Sequence, residues 1–265
     1  MIRNPRIPDF VCLLRSHAAA LLASVIVLHN TSAWAAKSVQ CSGEITGTVD
    51  SLVVPSGATC LATDLTVAGN VTVKPGATLQ AQGAFTVGGG ISVASGATLG
   101  VASTHIDITG TIAANNALGI GLVKIPLVGA SGTLGGDLSV SGTTSVSVLG
   151  LTIGGDLLVD NSGAEGLELG ANEVDGTLNV QNSVVVGNSG PSLFAIHSNA
   201  VGRRMSVLNN DATGAFEPPF VGGNSIAAGN LVCYGNVPAL TNDRLGDVSP
   251  NHVLSGKKLG QCAGL

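Results

Sequence analysis

The sequence has few aromatic and few charged residues. Of its 265 residues only 3% are aromatic and 10% are charged, with one Trp, one Tyr and five Phe. A core of bulky side chains between amphipathic helices is hard to build from this supply. The formal net charge of −5 also argues against a protein that follows the phosphates of a nucleic acid, so nucleic acid is not an expected partner.

Glycine and aliphatic residues take the place of the missing types. The chain contains 38 glycines, and 45% of its residues are hydrophobic. The glycine share is about twice the usual ~7%, and the hydrophobic share is too high for a disordered tail. This composition indicates an all-β fold built from many small layers of Val, Ile and Leu.

Residues 1–35 have the features of a secretory signal peptide. Three arginines fall within residues 1–17, residues 18–28 form an apolar run of eleven, and residues 33–35 have the small-x-small form of a cleavage site. A run of this length spans ~16 Å as a helix, too little for a ~30 Å hydrocarbon core. We therefore expect a domain over residues 36–265 that is secreted to the extracellular space or periplasm without an integral membrane segment.

Four cysteines follow this segment: Cys41, Cys60, Cys233 and Cys262. An even number in an oxidising compartment predicts disulfides, although four cysteines allow three pairings. We favour Cys41–Cys60 and Cys233–Cys262, one pair near each end. Zinc binding is the competing interpretation, but no His or Cys stands at close ligand spacing, so no metal is expected. Nucleotide and nucleophile motifs are also missing, and no cofactor is expected.

An internal repeat is the most informative feature of the chain. Gly-Ala-Thr recurs at Gly57, Gly76 and Gly96, at nearly equal intervals. Further glycines mark unit starts in the same rhythm: Gly47, Gly69, Gly90, Gly110, Gly136, Gly155, Gly176, Gly202 and Gly229. Within the units, apolar and polar residues alternate in short runs separated by Gly, Asn, Asp and Ser, as strands and turns require.

This pattern predicts a single right-handed parallel β-helix, a solenoid of about nine coils in which each strand pairs with its counterpart one coil away. A leucine-rich repeat would show a helical half, and a β-sandwich would not explain the equal steps. Cys41 and Cys60 would then stack at ordinary strand spacing, which suits a disulfide. We expect residues 36–60 to form an N-terminal cap and first coil, residues 237–265 to form a C-terminal cap, and disulfides to staple both ends.

The Gly-Asp-Leu-x-Val units at residues 136–140 and 155–159 resemble the coils of bacterial exported right-handed β-helix proteins, including adhesin-like passengers. The segments 229–238 and 256–262 are similar to the closing segment of secreted repeat proteins of this kind. The resemblance covers residues 41–262. It implies a fold and export far better than it implies an activity.

Two functions fit this architecture. The first is a non-enzymatic structural or adhesin-like protein of the cell envelope or extracellular matrix. The second is a carbohydrate-active enzyme, a polysaccharide lyase or glycoside hydrolase, that would use Asp137 and Asp156 as a carboxylate pair. The two residues occupy the same place in consecutive coils, and the simpler interpretation is that they are turn formers that bond nearby backbone. The residue sets typical of β-helical pectin hydrolases and lyases are not found.

Longer coils predict loops at about residues 113–130, 184–200 and 211–228, and binding residues concentrate on such loops. We expect a site for a glycan or a cell-surface protein there, formed by five residues: Phe194, His197, Phe216, Glu217 and Phe220. The alternative is that these Phe side chains fold back to cover the core.

Asparagine recurs after the strands at Asn161, Asn182 and Asn209, two residues beyond a valine in each case. Stacked asparagines satisfy one another's buried amides in repeat proteins. The spacing therefore predicts a buried asparagine ladder at these three positions.

Overall fold

The computed structural model describes residues 38–187, 192–244 and 247–265, and the expected signal segment lies outside the described residues. Contacts group Ala36–Leu265 into one unit. Among the described residues every regular element is a β-strand except for a 3₁₀ turn at Gln261–Gly264. The all-β prediction is confirmed.

The first sheet runs through the whole described chain and is parallel throughout. Its described strands number eleven: Ser38–Gln40, Ser51–Val54, Val71–Val73, Ile91–Val93, Ile112–Asn115, Leu138–Ser141, Leu157–Asp160, Leu178–Gln181, Met205–Leu208, Leu231–Tyr234 and Lys258–Gly260.

The second sheet is also parallel and divides into two branches beyond the strand Thr98–Ile108, whose two halves pair with different partners. Before the division its strands are Glu44–Val49, Thr59–Val67, Thr78–Val87 and Thr98–Ile108. One branch continues through Gly119–Lys124, Ser145–Leu149, Gly166–Gly170, Phe194–His197 and Phe220–Gly222. The other continues through Ser131–Leu134, Thr152–Ile153, Glu173–Val174, Ala200–Val201, Ser225–Ile226 and His252–Val253. A separate antiparallel pair joins Asp243–Arg244 to Asp247–Val248.

The register between strands follows the repeat seen in the sequence. In the first sheet Leu138 pairs with Leu157, which pairs with Leu178, so that partners stand one repeat apart. Where the interval between glycine marks lengthens, the interval between partners lengthens equally, as the pair Ile112 and Leu138 shows. The predicted parallel pairing of strands about one repeat apart is therefore confirmed.

Alternation along each strand separates the core from the surface. In the strand Leu157–Asp160, Leu157 and Val159 are fully buried, whereas Leu158 and Asp160 point outward and are half-buried. The inward sides of both sheets meet in one hydrophobic core of Val, Leu and Ile, with Phe85 among its largest members. Small aliphatic side chains suit this core because every repeat contributes the same narrow layer.

Two buried polar ladders line the turns of the later repeats. The first runs after the strands of the first sheet through Ser162, Ser183, Asn210, Asn236 and Gln261, each backbone N–H donating to the side-chain oxygen of the next member. The second runs between the two branches of the second sheet through Asn172, Asn199, Asn224 and Asn251. The asparagine side-chain amides of both ladders also donate to backbone carbonyls of the paired strand one repeat back, so turn groups that water cannot reach are satisfied.

The ladder predicted at Asn161, Asn182 and Asn209 is wrong by one position. These three side chains are exposed, and their residues have φ values of 47°, 54° and 54°. Asparagine tolerates this left-handed conformation better than most residues. They bend the chain at the turn, and the residue that follows each of them enters the ladder.

The two predicted disulfides are present. Cys41 bonds to Cys60 with a Cα separation of 5.5 Å, and Cys233 bonds to Cys262 with a Cα separation of 5.2 Å. The first bond joins the segment after the strand Ser38–Gln40 to the start of the strand Thr59–Val67. The second joins the penultimate strand of the first sheet to the 3₁₀ turn at Gln261–Gly264.

Candidate functional site

Asp137 and Asp156 stand at equivalent positions just before neighbouring strands of the first sheet. Parallel strands lie about 4.8 Å apart, so the two residues follow one another at that spacing. The backbone N–H of Asp156 donates to Oδ1 of Asp137 at 2.8 Å, and the N–H of Thr177 donates to Oδ1 of Asp156 at 2.7 Å. One oxygen of each carboxylate therefore completes the backbone of the next repeat.

Asparagine side chains make the same kind of hydrogen bond at the equivalent position before other strands of the first sheet. Oδ1 of Asn70 accepts the N–H of Gly90 at 2.9 Å, and Oδ1 of Asn230 accepts the N–H of Lys257 at 2.9 Å. The bond needs a side-chain oxygen and no charge. We call this column of Asn70, Asp137, Asp156 and Asn230 the outer ladder.

The outer ladder explains the Gly-Asp pair of the repeat. A Cβ atom placed on Gly155 would overlap the carboxylate of Asp137, and one placed on Gly176 would overlap that of Asp156. Each glycine leaves room for the side chain that belongs to the preceding repeat.

A groove of about 400 Å³ opens on the outer face of the first sheet beside the outer ladder. The residues that give it its chemistry are Asp137, Asp156, Leu158, Thr177, Asn179 and Arg204. These residues succeed one another across the sheet, because each lies in, or just before, one of four consecutively paired strands. Carboxylate, hydroxyl, amide and guanidinium groups thus line one groove that has the aliphatic side chain of Leu158 among them.

Asn179 is the least satisfied of these groups. Its Nδ2 donates to Oε1 of Gln181 at 3.0 Å, whereas its buried Oδ1 has no hydrogen-bond partner among the described residues. A buried amide oxygen without a donor is uncommon in folded proteins. Neither Asn179 nor Arg204 was predicted to be a binding residue, because an exposed basic pair such as Arg203-Arg204 is more often a solvated turn than a substrate clamp and Asn179 has no distinguishing local sequence.

A second cluster lies on the outer face of the second sheet. His197 lies in the strand next to that of Glu168, and its Nε2 is 3.4 Å from Glu168 Oε1. The hydrogen bond from His197 lowers the pKa of Glu168 below its ordinary value of 4.5; the charges of His197 and Arg244 also lower it, and partial burial opposes them. Glycine makes this contact possible, since a Cβ on Gly170 would collide with the His197 ring.

Two other predicted binding residues adjoin this cluster. The ring of Phe220 lies over the backbone of Gly222, and its centroid is 6.3 Å from that of His197. Glu217 Oε2 accepts a hydrogen bond from Nε of Arg244 at 3.0 Å. His197, Glu217 and Phe220 therefore lie near Glu168 and Arg244, both of which sequence analysis missed because they are far from their partners along the chain.

The three predicted Phe residues do not form an exposed aromatic patch. Phe194 is 2% exposed and belongs to the hydrophobic core, because it lies in a strand and not in a loop. This placement corrects its assignment to an exposed site. Phe220 is also nearly buried, at 7% exposure, whereas Phe216 is 74% exposed. The expected aromatic surface is thus reduced to one exposed Phe.

The loop expected at residues 113–130 is shorter in the structure. Strands occupy Ile112–Asn115 and Gly119–Lys124, and Ile125, Leu127 and Val128 are exposed on the segment that follows. The length of this repeat predicted a loop, but it did not indicate that the apolar residues of the loop are exposed.

The described residues contain no group of three or more His, Cys, Asp or Glu side chains that could hold a metal ion. In the same part of the chain, no helix has the length and apolar character needed to cross a membrane.

Comparison of the chain with protein-family models, with curated proteins and with solved structures found no match.

Proposed function

We propose that this chain is an exported, non-enzymatic protein that acts as a structural or adhesin-like component of the cell envelope or extracellular matrix. Its fold would be a single right-handed parallel β-helix with disulfide-stapled ends. The parallel register of the first sheet, which advances by one repeat at every strand pair beyond the first, supports this fold. Glycans or cell-surface proteins are the partners we propose.

The outer ladder is the observation that carries the non-enzymatic part of the proposal. Asp137 and Asp156 are the carboxylate pair that the enzymatic alternative would use. Each gives one oxygen to a backbone N–H of the next repeat, and Asn70 and Asn230 make the same bond without a charge. The fold therefore accounts for the position of both carboxylates, and a general acid or nucleophile is not needed to explain it.

Export is supported by the two disulfides, because such bonds form and persist in oxidising compartments. The signal-like features of residues 1–35 point to the same route. Stiff internal packing and two polar ladders suit a protein that must hold its surface in place outside the cell.

The decisive experiment for catalysis uses purified protein that begins at residue 36. It is incubated with polygalacturonate, alginate and hyaluronan, and new reducing ends and unsaturated products are measured. We expect none from the wild type or from either of two matched variants, Asp156→Asn and Asp64→Asn. Asp64 makes the same kind of bond to the N–H of Ala84, at 2.9 Å, outside the groove. Cleavage by the wild type that Asp156→Asn abolishes and Asp64→Asn preserves would establish the enzymatic alternative.

Export is tested with the full chain expressed in a bacterial host. We expect a shortened chain outside the cytoplasm whose four cysteines react with maleimide only after reduction. A full-length chain held in the cytoplasm with free thiols would contradict the proposal.

A further inference from the structure

The groove beside the outer ladder offers polar atoms that the fold does not use. Hydrogen bonds to the backbone engage Oδ1 of Asp137 and of Asp156, and within the described residues no bond engages their second oxygens. The side chain of Arg204 is exposed and forms no ion pair with any described residue. These groups are therefore available to a ligand.

A ligand that satisfies these groups must offer both hydrogen-bond donors and hydrogen-bond acceptors. The two carboxylates only accept hydrogen bonds and Arg204 only donates them. A hydroxyl group does both, and a row of hydroxyls can meet the whole set without a conflict of roles. Asn179 also lines the groove, and its amide oxygen has no donor among the described residues.

The shape and charge of the groove narrow the class of ligand. Two carboxylates and one guanidinium give the lining an excess of one negative charge, which disfavours an anionic ligand. Leu158 presents a half-buried aliphatic surface between the polar groups. A volume of about 400 Å³ lies within the range of small-molecule sites. The polar groups succeed one another at about 4.8 Å, the strand spacing, so an extended ligand would meet them in turn.

We propose that this groove binds a neutral oligosaccharide. Hydroxyl groups of the sugars donate to the free oxygens of Asp137 and Asp156 and accept from Arg204, while an apolar ring face packs on Leu158. This inference deepens the proposed function, on which it rests, by naming the surface and the ligand class of a non-enzymatic binder.

The outer ladder supplies a variant that separates binding from folding. In Asp156→Asn the amide oxygen still accepts the N–H of Thr177, as Asn70 and Asn230 do for their partners. The second position loses its charge and becomes an NH₂ group, which donates hydrogen bonds and cannot accept one from a sugar hydroxyl. Asp64→Asn is the matched control, since it makes the same change at a ladder-type bond that lies outside the groove.

Binding is measured on an array of neutral hexasaccharides of β-glucan, xylan, chitin and α-glucan, with hexagalacturonate as the anionic comparison, and then by calorimetry with the best neutral probe. Replacing a charged acceptor should weaken binding about tenfold or more, the equivalent of a charge-assisted hydrogen bond. Arg204→Met should weaken it similarly, and Asp64→Asn should stay within about twofold of the wild type. Circular dichroism should be unchanged in all three variants.

The inference is overturned if the wild type binds no neutral probe at millimolar concentration, prefers hexagalacturonate, or binds equally well as Asp156→Asn. Equal weakening by Asp64→Asn would also overturn it, because the loss would then be general. Cleavage of a bound probe is a different outcome, since it overturns the proposed non-enzymatic function while the groove keeps its ligand.

Discussion

Asn199, in the middle of the buried asparagine ladder, is the most informative residue to replace. Its Oδ1 accepts hydrogen bonds from the backbone N–H and the Nδ2 of Asn172, at 3.1 and 3.0 Å. Its own Nδ2 donates to the carbonyl of Leu169 and to Oδ1 of Asn224. In Asn199→Ala three buried groups lose this partner: the N–H and one Nδ2 hydrogen of Asn172, and the Leu169 carbonyl. Oδ1 of Asn224 also loses the Nδ2 donor, but it still accepts the backbone N–H of residue 199.

The cost follows from those three groups. A buried polar group left without its partner costs about 1–3 kcal/mol, so we expect Asn199→Ala to lower the free energy of unfolding by about 3–5 kcal/mol. The measurement is guanidinium denaturation followed by circular dichroism, with refolding traces to establish reversibility. The m-value should not change, because the surface exposed on unfolding is almost the same.

Asn209→Gly is the matched control. Asn209 is exposed and has a φ of 54°, a conformation that glycine adopts freely. We expect its effect to stay within about 0.5 kcal/mol. If Asn199→Ala costs less than about 1 kcal/mol, or no more than this control, the view that the ladder stabilises the turns is refuted.

Three further changes test separate parts of the structure. Replacing Cys233 and Cys262 together by Ser opens the closed loop between them and should cost about 3–4 kcal/mol of unfolding free energy; an unchanged denaturation midpoint would contradict this. Gly155→Ala should cost at least about 1–3 kcal/mol because its Cβ overlaps the Asp137 carboxylate. The control Gly121→Ala, whose Cβ has its nearest neighbour 4.0 Å away, should cost nothing. Because the pKa of Glu168 is lowered, its ionised carboxylate stabilises the fold at pH values above the ordinary pKa of 4.5. This contribution disappears as the pH falls through the lowered pKa. The stability difference between wild type and Glu168→Gln should therefore shrink on acidification, and a difference that grows would contradict the assignment.

Much of the fold could be predicted because the number of residues between equivalent glycines equals the number of residues between paired positions in neighbouring strands. Gly155 and Gly176 recur where side chains of the preceding repeat need their space, so their spacing reports the register of the sheets. The same register brings Cys41 within disulfide distance of Cys60. Local alternation then decides which side chains enter the core.

Turns could not be predicted with the same accuracy, because the alternation of inward and outward side chains stops where a residue adopts the left-handed backbone conformation. Asn209 and Asn210 are adjacent asparagines, and the sequence does not say which of them is buried. The positive φ at Asn209 turns its side chain outward and sends that of Asn210 inward, to Asn236. The error of one residue in the predicted ladder has this cause.

The expected binding residues show a related limit. Longer repeats predicted loops, but the strand Phe194–His197 pairs in register with the neighbouring strand, and Phe194 points into the core while His197 points outward. Extra length in a repeat shows that residues must leave the sheet without showing which ones do. The contact of Glu168 with His197 joins adjacent strands and depends on register as well as on side-chain direction. The contact of Glu217 with Arg244 joins a bend to the strand Asp243–Arg244, which lies far away along the chain.

Asp137 and Asp156 connect the fold to the proposed ligand. The bond that each makes to the next repeat requires an oxygen at one position of the side chain, and Asn70 and Asn230 show that an amide provides it. The fold therefore does not require a negative charge at either aspartate. Both charges line the groove together with the cation of Arg204. The proposed recognition of hydroxyl groups gives the free oxygens of both carboxylates a role beyond folding, which Asp64, outside the groove, does not have.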